Sequence, residues 1–286
     1  MTRPTKRGNR RTREEIESIR RAIYKIAEED HPCTCRQVFY RLVACGLVRK
    51  TQTEYKATTC RLLMQMRRKG DLPFEWIADN TRWVRKPRTH ASLANALEDT
   101  AELYRRALWR NQPVYVELWL EKDALAGVLA DVTYPWDVPL MVSRGYASIT
   151  YLYSAAEAIR DQGKPCYLYH FGDYDPSGQN IAVNIERRLR EFAPDAEIHF
   201  EKVAVTLQQI EEFNLPTRPT KKTDTRAKGF KGESVDVDAI PPKILRELAV
   251  QCIVQHIDEA ALERTQRVEA AERKAIYEII ETAEVA

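Results

Sequence analysis

The sequence predicts a mixed α/β protein: a helical, cationic N-terminal third followed by a parallel sheet with helices on both faces. Three observations carry this. Residues 1–90 hold 22 Lys and Arg against 10 Asp and Glu, whereas residues 91–286 hold 23 against 32. The formal net charge of +3 therefore conceals one cationic part and one mildly anionic part, a polarity that suits nucleic acid at the first and metal or carboxylate chemistry in the second. Apolar residues recur at helical spacing in the first part, while from residue 113 short β-rich runs alternate with helical ones.

The chain has 286 residues, enough for about two domains of ordinary size. Hydrophobic residues at 44% and charged residues at 30% exclude a disordered chain, and no apolar run approaches the roughly 20 residues of a membrane helix. The opening MTRPTKRGNRRTREE is basic and lacks the apolar core of a secretory signal. Six cysteines (33, 35, 45, 60, 166 and 252) form no C-x-x-C pair and no zinc spacing with the five histidines, which reads as reduced thiols in a cytoplasm. The expected divisions are a basic tail at 1–12, a helical DNA-binding domain at 13–90, a linker helix at 91–112, the sheet domain at 113–215, and a basic loop with closing helices at 216–286.

In the first domain Ile16, Ile19, Ile23 and Ile26 mark an amphipathic helix over 13–29. Thr34 and Gln37 form a capping box that opens a second helix, which runs to about Gly46. A third covers roughly 54–69, ending in Arg67-Arg68-Lys69-Gly70, after which PFEWIADNTRW suits a short extended hairpin. Three short basic helices and a wing are the pattern of a winged helix-turn-helix, in which Arg61, Arg67, Arg68 and Lys69 would meet phosphates. On the second helix Cys35, Val38, Phe39, Leu42 and Val43 share a core face. Tyr40 falls on the opposite face, between Arg36 and Ala44 with Gln37 and Arg41 alongside, and is expected to be a surface phenol among guanidinium groups. On pattern alone such a tyrosine is more often a phosphate hydrogen-bond donor than a nucleophile.

The second part opens with an amphipathic helix over 91–110 and a buried strand in PVYVELWLEKD, interrupted by Glu117 and closing at Glu121. Helix 122–130, strand 138–143, a turn at Arg144-Gly145, helix 149–161, strand 166–171, a helix from Pro176, strand 197–205 and helix TLQQIEEF complete a Rossmann-like alternation. Working groups of such sheets lie at the carboxyl ends of strands. Glu121 closes one strand, and Asp173 and Asp175 follow another in FGDYDPSGQNIA. Alternate residues of an extended segment face one way, so the two aspartates can grip one hard cation. Pro176 starts a helix whose free N–H groups suit a phosphate oxygen. Three carboxylates at neighbouring strand ends repel unless protonated or metal-bound, which assigns Glu121, Asp173 and Asp175 as Mg²⁺ ligands.

EKDALAGVL followed by HFGDYDPSGQNI resembles a Toprim domain, and SRGYAS stands where that family carries a Gly-Tyr-Pro turn, with Ala147 in place of proline. RQVFYRL resembles the R-x-x-Y-Y segment of the A subunit of type IIB topoisomerases (topoisomerase VI) and of meiotic double-strand-break proteins, with Phe39 at the first tyrosine position. The resemblance spans roughly residues 30–215, and compact relatives in phages and mobile elements are the nearest kind. It implies that Tyr40 attacks a DNA phosphodiester to leave a 5′-phosphotyrosyl enzyme, that Arg36 stabilises the developing charge, and that Mg²⁺ on the three acids assists. It also implies a homodimer cutting double-stranded DNA, the tyrosine of one subunit meeting the metal of the other. Lys122 is a candidate phosphate contact. No G-x-x-x-x-G-K-[ST] run is present, so this chain alone does not couple ATP to strand passage, and a separate ATPase subunit or no such partner are both left open.

PTRPTKKTDTRAKGFKG over 216–232 reads as a basic loop, with Lys221, Lys222, Arg226 and Lys228 as DNA contacts. Beyond it Glu233, Asp236 and Asp238 precede a helix start at Pro241-Pro242, and one of them could complete a second metal site. Two alternatives accompany the topoisomerase-like reading. One is a Toprim hydrolytic nuclease in which water attacks and Tyr40 only contacts DNA; the other is a non-catalytic DNA-binding regulator.

Overall fold

A computed structural model describes residues 11–78, 86–219, 230 and 232–284, and within them the alternation of the sequence becomes ten α-helices and four strands. The chain divides into two compact units built from separated stretches. The first comprises Met1–Asp79, Gly172–Gln179 and Ala204–Arg246; the second comprises Asn80–Phe171, Asn180–Val203 and Glu247–Ala286. Among the described residues no helix is long and apolar enough to cross a membrane.

In the first unit, α1 (Arg13–Asp30) starts at a Thr12–Glu15 capping box and α2 (Cys35–Ala44) at the Thr34–Gln37 box, each satisfying N–H groups that a helix start leaves bare. Gly46 adopts a φ of 69° just beyond α2. The third helical stretch winds as a π-helix over Glu54–Cys60 and continues as α3 (Arg61–Lys69), ending at a left-handed Gly70 with φ 80°. Ile19, Ile23, Val38, Leu42, Leu62 and Leu63 are wholly or almost wholly buried, each stabilising the unit by about 1.5–3 kcal/mol relative to an exposed position.

The expected hairpin after α3 is corrected where the chain is described. Phe74–Trp76 forms a 3₁₀ turn and Ile77 makes one parallel bridge to Cys33. The Trp76 ring stacks on His31 at 4.9 Å, and its carbonyl accepts from the Cys33 N–H at 3.0 Å. The segment is therefore tied to the α1–α2 connection; the remainder of the expected wing, 79–85, lies outside the described residues. Later stretches of this unit contain α8 (Leu207–Glu212), with a Thr206–Gln209 capping box, and a 3₁₀ turn at Val237–Ala239.

The second unit carries a parallel sheet in the order β2-β1-β3-β4. Its strands are β1 (Tyr115–Leu120), β2 (Leu140–Val142), β3 (Cys166–Phe171) and β4 (Ile198–Ala204). β1 pairs with β3 from Tyr115–Cys166 to Leu120–Phe171 and with β2 from Leu118–Leu140 to Leu120–Val142. All six β1 residues are buried, as a strand covered on both faces requires. Helices α5 (Ala126–Thr133), α6 (Ile149–Gln162) and α7 (Pro176–Phe192) follow successive strands, as the alternation predicts.

The linker helix is shorter than its amphipathic pattern predicts: α4 spans Leu93–Leu103, and 91–110 is not one helix. Side chains of α10 (Glu259–Glu284) supply the reason. Glu269 accepts from the Arg106 N–H at 2.8 Å and Arg273 donates to the Tyr104 carbonyl at 2.8 Å, taking backbone groups that a longer helix would pair internally. Glu117 and His170 are among the ionisable groups buried in the sheet. Glu117 accepts from the Trp119 indole at 2.9 Å, and burial pushes its carboxyl up to about 7, opposed by hydrogen bonds from Trp119 and Tyr115. His170 has no partner at either ring nitrogen among the described residues, and burial, aided by Lys202, pulls its imidazole down to about 3.

Candidate active site

Tyr40 is not the surface phenol that helical periodicity predicts. It is 3% exposed, and its hydroxyl donates to Asp236 Oδ2 at 2.5 Å across 196 residues of sequence. The 3₁₀ turn at Val237–Ala239 lies against α2 and covers the face that the sequence leaves open. Lys50 Nζ stands 5.2 Å from the centre of the Tyr40 ring and donates to the Pro216 carbonyl at 2.6 Å. Phe39 packs inward as expected, edge-on to Tyr55 at 5.4 Å. Arg36 lies over the Tyr55 ring at 4.8 Å. Burial alone would lower the Arg36 pKa, but Asp238, Tyr40 and Tyr55 outweigh it and hold the guanidinium above its ordinary value. Arg36 is thus a fixed cation beside the phenol.

The D-x-D pair belongs to the same unit. Asp173 is buried and its Oδ1 accepts from the Val237 N–H at 2.8 Å. Asp175 Oδ1 accepts from the Gly178 N–H at 2.8 Å and so caps α7. One nitrogen of Arg218 lies 3.4 Å from Asp175 Oδ2 and 3.4 Å from Asp236 Oδ1. Asp173 and Asp175 offer hard carboxylate oxygens, the donor type that a divalent ion such as Mg²⁺ takes. Glu121 lies in the second unit, immediately after β1, where its N–H donates to the Phe171 carbonyl at 2.9 Å. Among the described residues no three His, Cys, Asp or Glu side chains are gathered as a metal cluster.

Gly178 fixes the backbone under Asp173. A Cβ at this position would stand 2.3 Å from the Asp173 carbonyl oxygen and 3.2 Å from Asp173 Cβ. Helix propensity alone would favour alanine by about 1 kcal/mol, so the sign of the effect is diagnostic. Gly178→Ala is expected to destabilise the protein by about 1–3 kcal/mol, seen as a lower urea midpoint; an unchanged or raised midpoint would contradict this close approach.

The other predicted residues are distributed as follows. Arg41 pairs with Glu29 at 3.2 Å and Asp30 at 3.6 Å. Arg68 and Lys69 are exposed on the last turn of α3, and Arg67 lies 5.4 Å over the Phe74 ring. Arg61, with Arg11, Arg13 and Arg20, lines a hollow of about 430 Å³ beside α1; the last three were not singled out in the sequence, although all belong to its basic stretch. Lys122 is half-buried after β1. Lys221, Lys222, Arg226 and Lys228 lie outside the described residues. Sequence reasoning also passed over Cys60, which hydrogen bonds from Cys35 and Tyr55, together with Arg36, hold below the ordinary thiol range against the opposing effect of burial.

The chain matches no protein-family model, and no curated protein matches it.

Proposed function

We propose that this protein cleaves and rejoins double-stranded DNA by transesterification, with Tyr40 as the nucleophile, in the manner of a topoisomerase VI A subunit with winged-helix and Toprim domains. The observation that carries the reading is the buried Tyr40–Asp236 hydrogen bond, within a unit that also holds Arg36, Arg218 and the D-x-D aspartates. A phenol of ordinary pKa near 10 is a weak nucleophile at neutral pH. A carboxylate on its proton and cations beside it meet the two needs of such an attack, proton removal and stabilisation of charge on the phosphoryl group.

Asp173 and Asp175 would hold magnesium, which would supply positive charge to the phosphoryl oxygens and the leaving oxygen. Tyr40 meets a phosphodiester only after the Val237–Ala239 turn that covers it moves, together with the side chains around it. Arg218 and Lys50 have long stems and, in an incoming phosphate, an alternative to their present acceptors. The hollow lined by Arg11, Arg13, Arg20 and Arg61, and the exposed Arg68 and Lys69, suit sequence-independent backbone binding. A homodimer would cut both strands, an ATPase subunit would be a separate chain, and action on DNA would place the protein with the nucleoid in the cytoplasm.

The burial of Tyr40 favours one second reading, a hydrolytic Toprim-type nuclease in which this tyrosine is a packed donor. Supercoiled plasmid, protein and Mg²⁺, stopped with SDS and run with and without protease, separate the two. Cleaved DNA that enters the gel normally only after protease digestion is expected for tyrosine chemistry. Cleaved DNA with free 5′-phosphates and no attached protein would establish hydrolysis instead.

A further inference from the structure

We propose that Asp236 is the catalytic residue that takes the phenolic proton of Tyr40, a role that rests on the tyrosine chemistry proposed above. Tyr40 and Asp236 are both buried and meet at 2.5 Å although they stand 196 residues apart. Around Tyr40, Arg36 and Lys50 are cations without acceptor capacity. Asp175 spends one oxygen on the Gly178 N–H, Asp173 spends one on the Val237 N–H, and Asp238 acts electrostatically on Arg36. Asp236 divides its oxygens differently: Oδ2 faces the phenol and Oδ1 faces Arg218 at 3.4 Å.

At rest the phenol is the donor of this hydrogen bond and the carboxylate its acceptor. As the Oη–phosphorus bond forms, the oxygen loses its hold on the proton, and a carboxylate already in contact can accept it without a free phenolate. The bond formed is Tyr40 Oη to phosphorus. The bond broken is phosphorus to O3′, whose electron pair stays with O3′ and captures a proton from water. Rejoining reverses this, with the protonated Asp236 returning its proton to the departing phenolate oxygen. Arg218 and Arg36 offset the negative charge that Asp236, Asp238 and Asp175 bring together.

The test is the rate at which SDS-stable adduct forms on a linear duplex with Mg²⁺, from about pH 6 to about pH 10. Wild type, Asp236→Asn and Asp236→Glu are compared. The wild-type rate is expected to be nearly flat above neutrality. Asp236→Asn is expected to lose about 10²–10⁴-fold at pH 7 and to recover about tenfold per pH unit as the phenol begins to ionise on its own. That alkaline recovery also shows that the variant is folded. Asp236→Glu is expected to keep a flat profile at a reduced rate. An adduct from Asp236→Asn with the wild-type profile, within about threefold at every pH, would overturn the role while leaving Tyr40 as nucleophile. No adduct from the wild type at any pH would overturn the tyrosine chemistry itself, and this role with it.

Discussion

Tyr40→Phe is expected to abolish the SDS-stable protein–DNA adduct completely, because the variant has no oxygen to bond to phosphorus. It also removes the donor on Asp236 Oδ2, and a buried group deprived of a partner costs about 1–3 kcal/mol. Loss of adduct is therefore read beside a melting curve that shows the variant folded. Asp173→Asn isolates charge from shape: the amide oxygen can still accept the Val237 N–H that Asp173 now accepts at 2.8 Å, while the anionic oxygen is gone. Loss of adduct by at least about 10²-fold is expected for this variant if its charge serves the reaction. Cleavage that survives Tyr40→Phe but dies in Asp173→Asn would transfer the chemistry to water.

His170 is expected to set the acid limit of the fold. Its imidazole titrates near 3 in the native chain against an ordinary 6.5, so it is depressed by about 3.5 units. The stabilisation from keeping it neutral is fully present above pH 6.5 and is lost as pH falls toward 3, at about 1.4 kcal/mol per unit and about 5 kcal/mol in all. Glu117 opposes this. Its carboxyl is raised to about 7 from an ordinary 4.5, so its contribution is present below pH 4.5 and is lost as pH rises through 7, about 3 kcal/mol in all. Between pH 4.5 and 6.5 the two nearly cancel, and below pH 4.5 His170 acts without that opposition. His170→Leu, close in volume, is expected to narrow or reverse its stability gap to wild type by about 3 kcal/mol between pH 7.5 and pH 4, measured by urea unfolding. A gap independent of pH would show that the ring is not held neutral by burial.

The fold was largely legible because its elements are local. Capping boxes at Thr34–Gln37, the glycine stop after α2, and the β3–Pro176 transition all reside in a few consecutive residues. Departures occur where distant groups intervene. α4 stops at Leu103 because Glu269 and Arg273, more than 160 residues on, take its backbone partners. The expected hairpin gives way to a turn held by His31 and Cys33.

The site was legible in its residue types but not in its contacts. Periodicity assigns Tyr40 to the face opposite Val38 and Leu42, and a helical wheel cannot know that Val237–Ala239 will cover it. Asp236 carried a sequence signal only as an acid near a helix start. Its position on the Tyr40 hydroxyl is a tertiary fact, as is the Arg218 contact to Asp175 and Asp236.

The most direct measurement maps the attached nucleotide. Wild-type protein is allowed to cleave a duplex with Mg²⁺, trapped with SDS, digested with nuclease and trypsin, and examined by mass spectrometry. Cleavage after Arg36 and Arg41 releases Gln-Val-Phe-Tyr-Arg, and this peptide is expected to carry a nucleotide 5′-phosphate on Tyr40. Cut DNA accompanied by an unmodified peptide, or by a nucleotide on any other residue, would contradict Tyr40 as the nucleophile.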